Sequence, residues 1–90
     1  MAIEIHRSHH LDKTTTRRMV EEIAAMISEQ FTLTYEWHDD RLSFKRLGVS
    51  GHIDIADHEV HIVVDKSPWL PVSEAHLREQ IEATMNEYMG

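Results

Sequence analysis

Between Thr32 and Asp65 the apolar residues return at every second position through four successive runs, and that alternation limits what this chain can become. The runs are Leu33, Tyr35, Trp37; Leu42, Phe44; Val49, Ile53, Ile55; and Val60, Ile62, Val64. A period of two belongs to strands that bury one face and wet the other. The polar breaks at Asp39-Asp40, Leu47-Gly48 and Asp57-His58 are too short for a crossover, so each strand folds back on the last. An antiparallel meander follows. With those loops as pivots, Trp37 faces Leu42 and Tyr35 faces Phe44 on the core side, Ile55 faces Val60, and Ile53 faces Ile62. Phe44 meets Gly51, where a missing side chain leaves room for the ring or lets the strand bend. On the outer side Asp54 faces His61, and a charged imidazole beside a carboxylate predicts a cross-strand ion pair.

The flanks supply one more strand and two helices. Ile3 and Ile5 alternate with Glu4 and His6, which predicts a short strand from Ala2 to Arg7. Asp12 suits a helix N-cap, and Thr14, Thr15 and Thr16 suit a first turn. Met19, Val20, Ile23, Met26, Ile27 and Gln30 then form one stripe of an amphipathic helix of roughly five turns. The segment Ser67-Pro68-Trp69-Leu70-Pro71 reads as a stiff loop, because two Pro cannot sit in a central strand. A second helix is expected from about Ser73 to Tyr88, with Leu77, Ile81, Met85 and Tyr88 on one stripe and Gly90 ending the chain. The fold class is therefore α+β, with the order strand, helix, four strands, helix over a single domain, 1-90. Counting strand directions, an all-antiparallel sheet ordered 2-3-4-5-1 with both helices on one face is preferred. The rival sets the first two strands side by side through a right-handed parallel crossover.

Composition narrows the function. The 9 Lys and Arg stand against 16 Asp and Glu, and a net charge of −7 with no basic stripe makes nucleic acid an unexpected partner. No apolar run approaches the ~20 residues of a membrane span. With no signal-peptide pattern either, the expected location is cytoplasmic. The chain has 0 Cys, which removes thiolate nucleophiles and Cys-based zinc sites, but it has 8 His. His6, His52 and His61 share the outward phase of their strands and, with the first strand beside the fifth, gather on one face with Asp54. Neutral imidazoles and a carboxylate suit zinc, copper or nickel. Exposed strand His more commonly serves solvation, and no H-E-x-x-H spacing is present, so the expectation is no metal and no cofactor. His9-His10 reads as solvated loop.

For nucleophilic catalysis Ser43, Ser50, Ser67 and Ser73 are available, but none lies in a G-x-S-x-G elbow, and Gly48-Val49-Ser50-Gly51 lacks the strand-to-helix setting. Asp39-Asp40 reads as turn chemistry rather than an acid/base pair. Catalysis is not expected. Trp69 and Leu70, between Pro68 and Pro71, offer an aromatic and an aliphatic side chain to a partner or an apolar surface. In a domain of this size the commoner outcome folds Trp69 back to close the end of the core between sheet and second helix. Val63 on the outer face and the free edge of the strand from Leu33 to Trp37 are candidates for pairing with a second copy, so a homodimer is expected.

An amino-terminal strand ending in basic and His residues ("IEIHRSHHL"), an amphipathic helix, and the run "FTLTYEWHDDRLSFKRLGVSGHIDI" before a closing strand and helix resemble the small polyhydroxyalkanoic acid system proteins of bacteria. The most telling piece is "LSFKRLGVSGHIDI", from Leu42 to Ile55, and the resemblance covers essentially the whole chain. It implies a setting, the polyester storage granule, and brings no catalytic residues to carry over. The expected role is a non-catalytic binding or accessory protein whose partner is the granule surface or a granule-associated protein. The alternative is a carrier of a small apolar hydroxyacyl-type ligand, for which space between Tyr35, Phe44, Ile23 and Ile81 would speak. A hydrolase ranks last.

Overall fold

The alternation in the sequence becomes a five-stranded sheet in the computed structural model, which describes residues 2–70 and 73–89. The elements are β1 (Ala2–Ser8), α1 (Lys13–Phe31), β2 (Thr34–His38), β3 (Arg41–Arg46), β4 (Val49–Ile55), β5 (Glu59–Lys66) and α2 (Glu74–Met89). The sheet is antiparallel throughout in the order β1-β5-β4-β3-β2, the expected 2-3-4-5-1 read from the other edge. The register also agrees, with Trp37 opposite Leu42, Tyr35 opposite Phe44, Phe44 opposite Gly51, and Ile53 opposite Ile62. The two-residue loops are made by backbone that accepts positive φ: Asp39 at 56° and Gly48 at 91°.

Both helices cover one face. Asp12 caps α1 by accepting the Thr15 backbone N–H at 2.7 Å, and this contact, ahead of all others, holds its carboxyl below the ordinary range. Ser73 starts α2 in the same way, its hydroxyl accepting the His76 N–H at 3.1 Å. The helix stripes of Met19, Val20, Ile23, Ala24, Ile27 and Phe31, and of Leu77, Ile81 and Met85, bury completely against Ile3, Ile5, Leu42, Phe44, Ile53, Ile62 and Val64. Gln30 joins the helices by a hydrogen bond to Gln80. Ile23, Phe44 and Ile81 all lie in this packed core. Pro71 and Gly90 lie outside the described residues.

Two expectations need correction. Tyr35 is 40% exposed rather than core, because β2 is an edge strand and α1 packs over β3 and β4. Trp37, one pair further along, is half-buried; its indole N–H bonds Glu21 at 2.7 Å, and the Arg17 guanidinium lies 3.9 Å above its ring. His9 is not solvated loop: it is 4% exposed, with Nε2 3.3 Å from the Ala56 carbonyl and Nδ1 accepting the Leu11 N–H. Those two contacts select the neutral Nε2–H tautomer. His10 remains exposed.

Candidate functional site

With the helices on one side, the opposite face of the sheet carries alternate residues of all five strands in straight cross-strand rows. One row reads His6, His61, Asp54, Arg41, His38 from β1 to β2; the next reads Glu4, Val63, His52, Ser43, Glu36. The imidazoles of His6 and His61 stack at 3.8 Å with 18° between planes, and His52 meets His61 edge-on at 6.4 Å. The strand phases in the sequence place these three on one face correctly.

Their partners differ from expectation. Asp54 and His61 are opposite in register, yet the Asp54 carboxylate is held in a two-point pair by Arg41, at 2.6 and 3.1 Å. A planar guanidinium fits both carboxylate oxygens, where an imidazole reaches only one. This bond keeps the Arg41 guanidinium above even its usual high range. His52 Nε2 stands 3.6 Å from the second Asp54 oxygen. His61 turns the other way, with Nε2 3.2 Å from Glu4, and His6 Nδ1 lies 2.7 Å from Glu59. Sequence reasoning does not single out Glu4, Glu59 or Arg41 as members of this site. The signal is there for all three: Glu4 shares the outward phase of His6, Glu59 that of His61, and the meander register sets Arg41 opposite Asp54.

Ser43 lies opposite His52, and Asp54 follows two residues on, so serine, imidazole and carboxylate share this face. They are not arranged for nucleophilic attack. The described Ser43 hydroxyl makes no hydrogen bond to His52, and the carboxylate that would orient the imidazole is committed to Arg41. Beside them the face dips into an open groove of about 620 Å³ lined by Ser43, Lys45, Ser50, His52 and Val63, with Tyr35 at its margin. Neither Ile23 nor Ile81 lines it, so it is not the space between helices and sheet that a carrier would use.

A second feature lies where the β3–β4 loop meets the segment after β5. Leu47 is 81% exposed and Trp69 is 64% exposed, and the indole rests on Gly48, which follows Leu47. A Cβ on Gly48 would come within 2.9 Å of that ring, so the glycine serves both the turn and the seat of the Trp. Trp69 therefore stands outside the core, while Leu70 is half-buried against it. Lys66, buried beneath, places Nζ 3.3 and 3.5 Å from the Ser67 and Leu70 carbonyls and ties the loop down. Exposed Lys45 borders the tip, while the Arg46 guanidinium donates to the Phe31 carbonyl at the end of α1, at 2.5 Å. Leu47 does not stand out in the sequence because it reads as part of a turn; an aliphatic residue beside a turn glycine is the available signal.

Among the described residues no helix is long and apolar enough to cross a membrane. The sequence model of the family described as "Putative polyhydroxyalkanoic acid system protein" matches residues 3–89. A search of curated proteins found no match.

Proposed function

The chain belongs to the polyhydroxyalkanoic acid system protein family, and from that premise we propose that it is a non-catalytic accessory protein that binds the surface of bacterial polyester storage granules. The observation that carries this reading is the loop tip. An exposed Leu47 and an exposed Trp69 on a tied-down loop put apolar area where a folded domain gains nothing from it. Trp is favoured where water meets an apolar phase, and a storage polyester presents such a boundary. The bordering Lys45 suits a surface bearing carboxylate end groups or anionic lipid. In this role the granule surface, or a protein lying on it, is the partner, and the protein works in the cytoplasm where granules form.

The test is sedimentation of the purified chain with isolated polyester granules. Trp69→Ala and Leu47→Ser are each expected to weaken binding about tenfold, which corresponds to ~1.4 kcal/mol and is less than full burial of either side chain provides. Wild-type affinity in the double variant removes the tip from the contact. Failure of the wild type to sediment with granules removes the granule reading itself.

A further inference from the structure

We propose that Glu4, His6 and His61 form a binding site for one divalent transition-metal ion, of the zinc, nickel or copper class, on the open face of the sheet. The site is independent of the granule contact, which lies on the loop tip.

The argument begins with register. His6 and His61 are direct partners across the β1–β5 pair, and Glu4 precedes His6 by two residues on the same face. A paired antiparallel ladder fixes all three Cα positions, so their approach does not depend on a mobile loop. One ligand atom from each of the three residues falls within a common separation of 4.8 Å. Two imidazole nitrogens and one carboxylate oxygen are the donor set that borderline divalent ions take, and three protein ligands leave a coordination position for water.

The surroundings point the same way. His6 Nδ1 lies 2.7 Å from the Glu59 carboxylate. A carboxylate there accepts the Nδ1 proton, which leaves the Nε2 lone pair free as a donor; this is the carboxylate–imidazole–metal arrangement of protein metal sites. His61 Nε2 already lies 3.2 Å from Glu4. An ion entering between them replaces that N–H···O contact with two coordinate bonds, and the imidazole proton passes to Nδ1. No cation competes for the Glu4 and Glu59 carboxylates among the described contacts, since Arg41 is committed to Asp54 and Arg78 bonds the Glu4 backbone carbonyl. Stacked rings direct their lone pairs in nearly parallel planes. Seating the ion therefore turns one imidazole out of the stack, and that movement gives a readout separate from affinity.

The experiment titrates Ni²⁺, Zn²⁺ and Cu²⁺ alone into the tag-free full chain by calorimetry, with electron paramagnetic resonance of the Cu²⁺ form. One ion per chain is expected, with two imidazole nitrogens in the Cu²⁺ spectrum. His6→Ala and His61→Gln are expected to weaken binding at least tenfold and to leave one imidazole. Glu59→Gln, a positioning residue, should weaken it about tenfold while keeping both nitrogens. His10→Ala with His58→Ala, a pair 6.4 Å apart elsewhere on the surface, should leave affinity unchanged. All the substituted residues are at least partly exposed, and amide spectra of each variant check that the fold is kept. Unchanged affinity in the folded His6→Ala/His61→Gln double variant overturns the proposal, as does loss of binding in the His10/His58 variant.

Discussion

Replacing Gly51 by Ala should destabilise this protein strongly, although intrinsic preference argues for the opposite sign. Within a strand, Ala is ordinarily better than Gly by about 0.5–1 kcal/mol, because Gly gives up more freedom on folding. At Gly51 a Cβ would sit 2.1 Å from the Val63 carbonyl oxygen and 2.8 Å from the Phe44 ring. A carbon tolerates a carbonyl oxygen at about 3.3 Å, so β4 and β5 would have to part by roughly 1 Å at this point. The moving atom is backbone, and the flanking hydrogen bonds lengthen with it. Overpacking of this kind costs about 1–3 kcal/mol, and the second clash with a buried ring places this site at the upper end. A domain of this length has a total stability of roughly 5–13 kcal/mol. A loss of ~3 kcal/mol should lower Tm by about 12–24 °C. Thermal and urea unfolding followed by circular dichroism measure it. In a Phe44→Leu background the ring contact goes but the carbonyl clash stays, so most of the loss should persist. A Tm for Gly51→Ala equal to or above wild type would refute the close approach of the two strands.

Thr32 ends α1 at φ 52° with its N–H on the Ser28 carbonyl, a left-handed position that a β-branched residue occupies at a cost. Thr32→Gly should gain about 1 kcal/mol, and no rise in Tm would mean that this strain is absent. The Asp12 carboxyl is depressed chiefly by the Thr15 N–H, so its contribution is complete above the unfolded carboxyl value and is lost as pH falls through the folded one. The Tm advantage of wild type over Asp12→Asn should therefore shrink as pH falls below the ordinary carboxylate value and through the depressed folded one, and parallel profiles would dismiss the cap. Among the described residues the outer edge of β2 has no strand beyond it, whereas the edge of β1 is partly occupied by Arg78 on the Glu4 carbonyl. We propose pairing of two β2 edges in a homodimer, and a mass of 10.5 kDa by light scattering at high micromolar concentration would count against it.

Alternation and loop length are enough to define the four-stranded meander. A two-residue loop leaves one register in which both strands bury their apolar sets, so the pairings of Leu42, Phe44, Ile53 and Ile62 follow from the order of residues alone. The direction count favours β1 beside β5 but leaves the parallel crossover open, and the folded sheet decides for β5, which sets His6 beside His61. Periodicity along one helix also marks the α2 stripe of Leu77, Ile81 and Met85. The meander and the helix stripe rest on short-range information, carried by a repeat that each segment displays by itself.

What the sequence leaves open depends on competition among neighbours in three dimensions. Register puts Asp54 opposite both Arg41 and His61, and only the geometry of a two-point bond decides for Arg41 and leaves His61 to Glu4. Tyr35 has the phase of a core residue, but its exposure is set by how far the helices reach across an edge strand. His9 reads as loop because its burial comes from residues about 47 positions away, where the Ala56 carbonyl awaits it. The Leu47–Trp69 tip joins two loops distant in sequence, and it exists because Gly48 has no side chain to hold the indole off. The chain by itself determined which residues share a face; the folded protein alone determined which of them touch, because contact depends on side-chain competition and on cover supplied by remote elements.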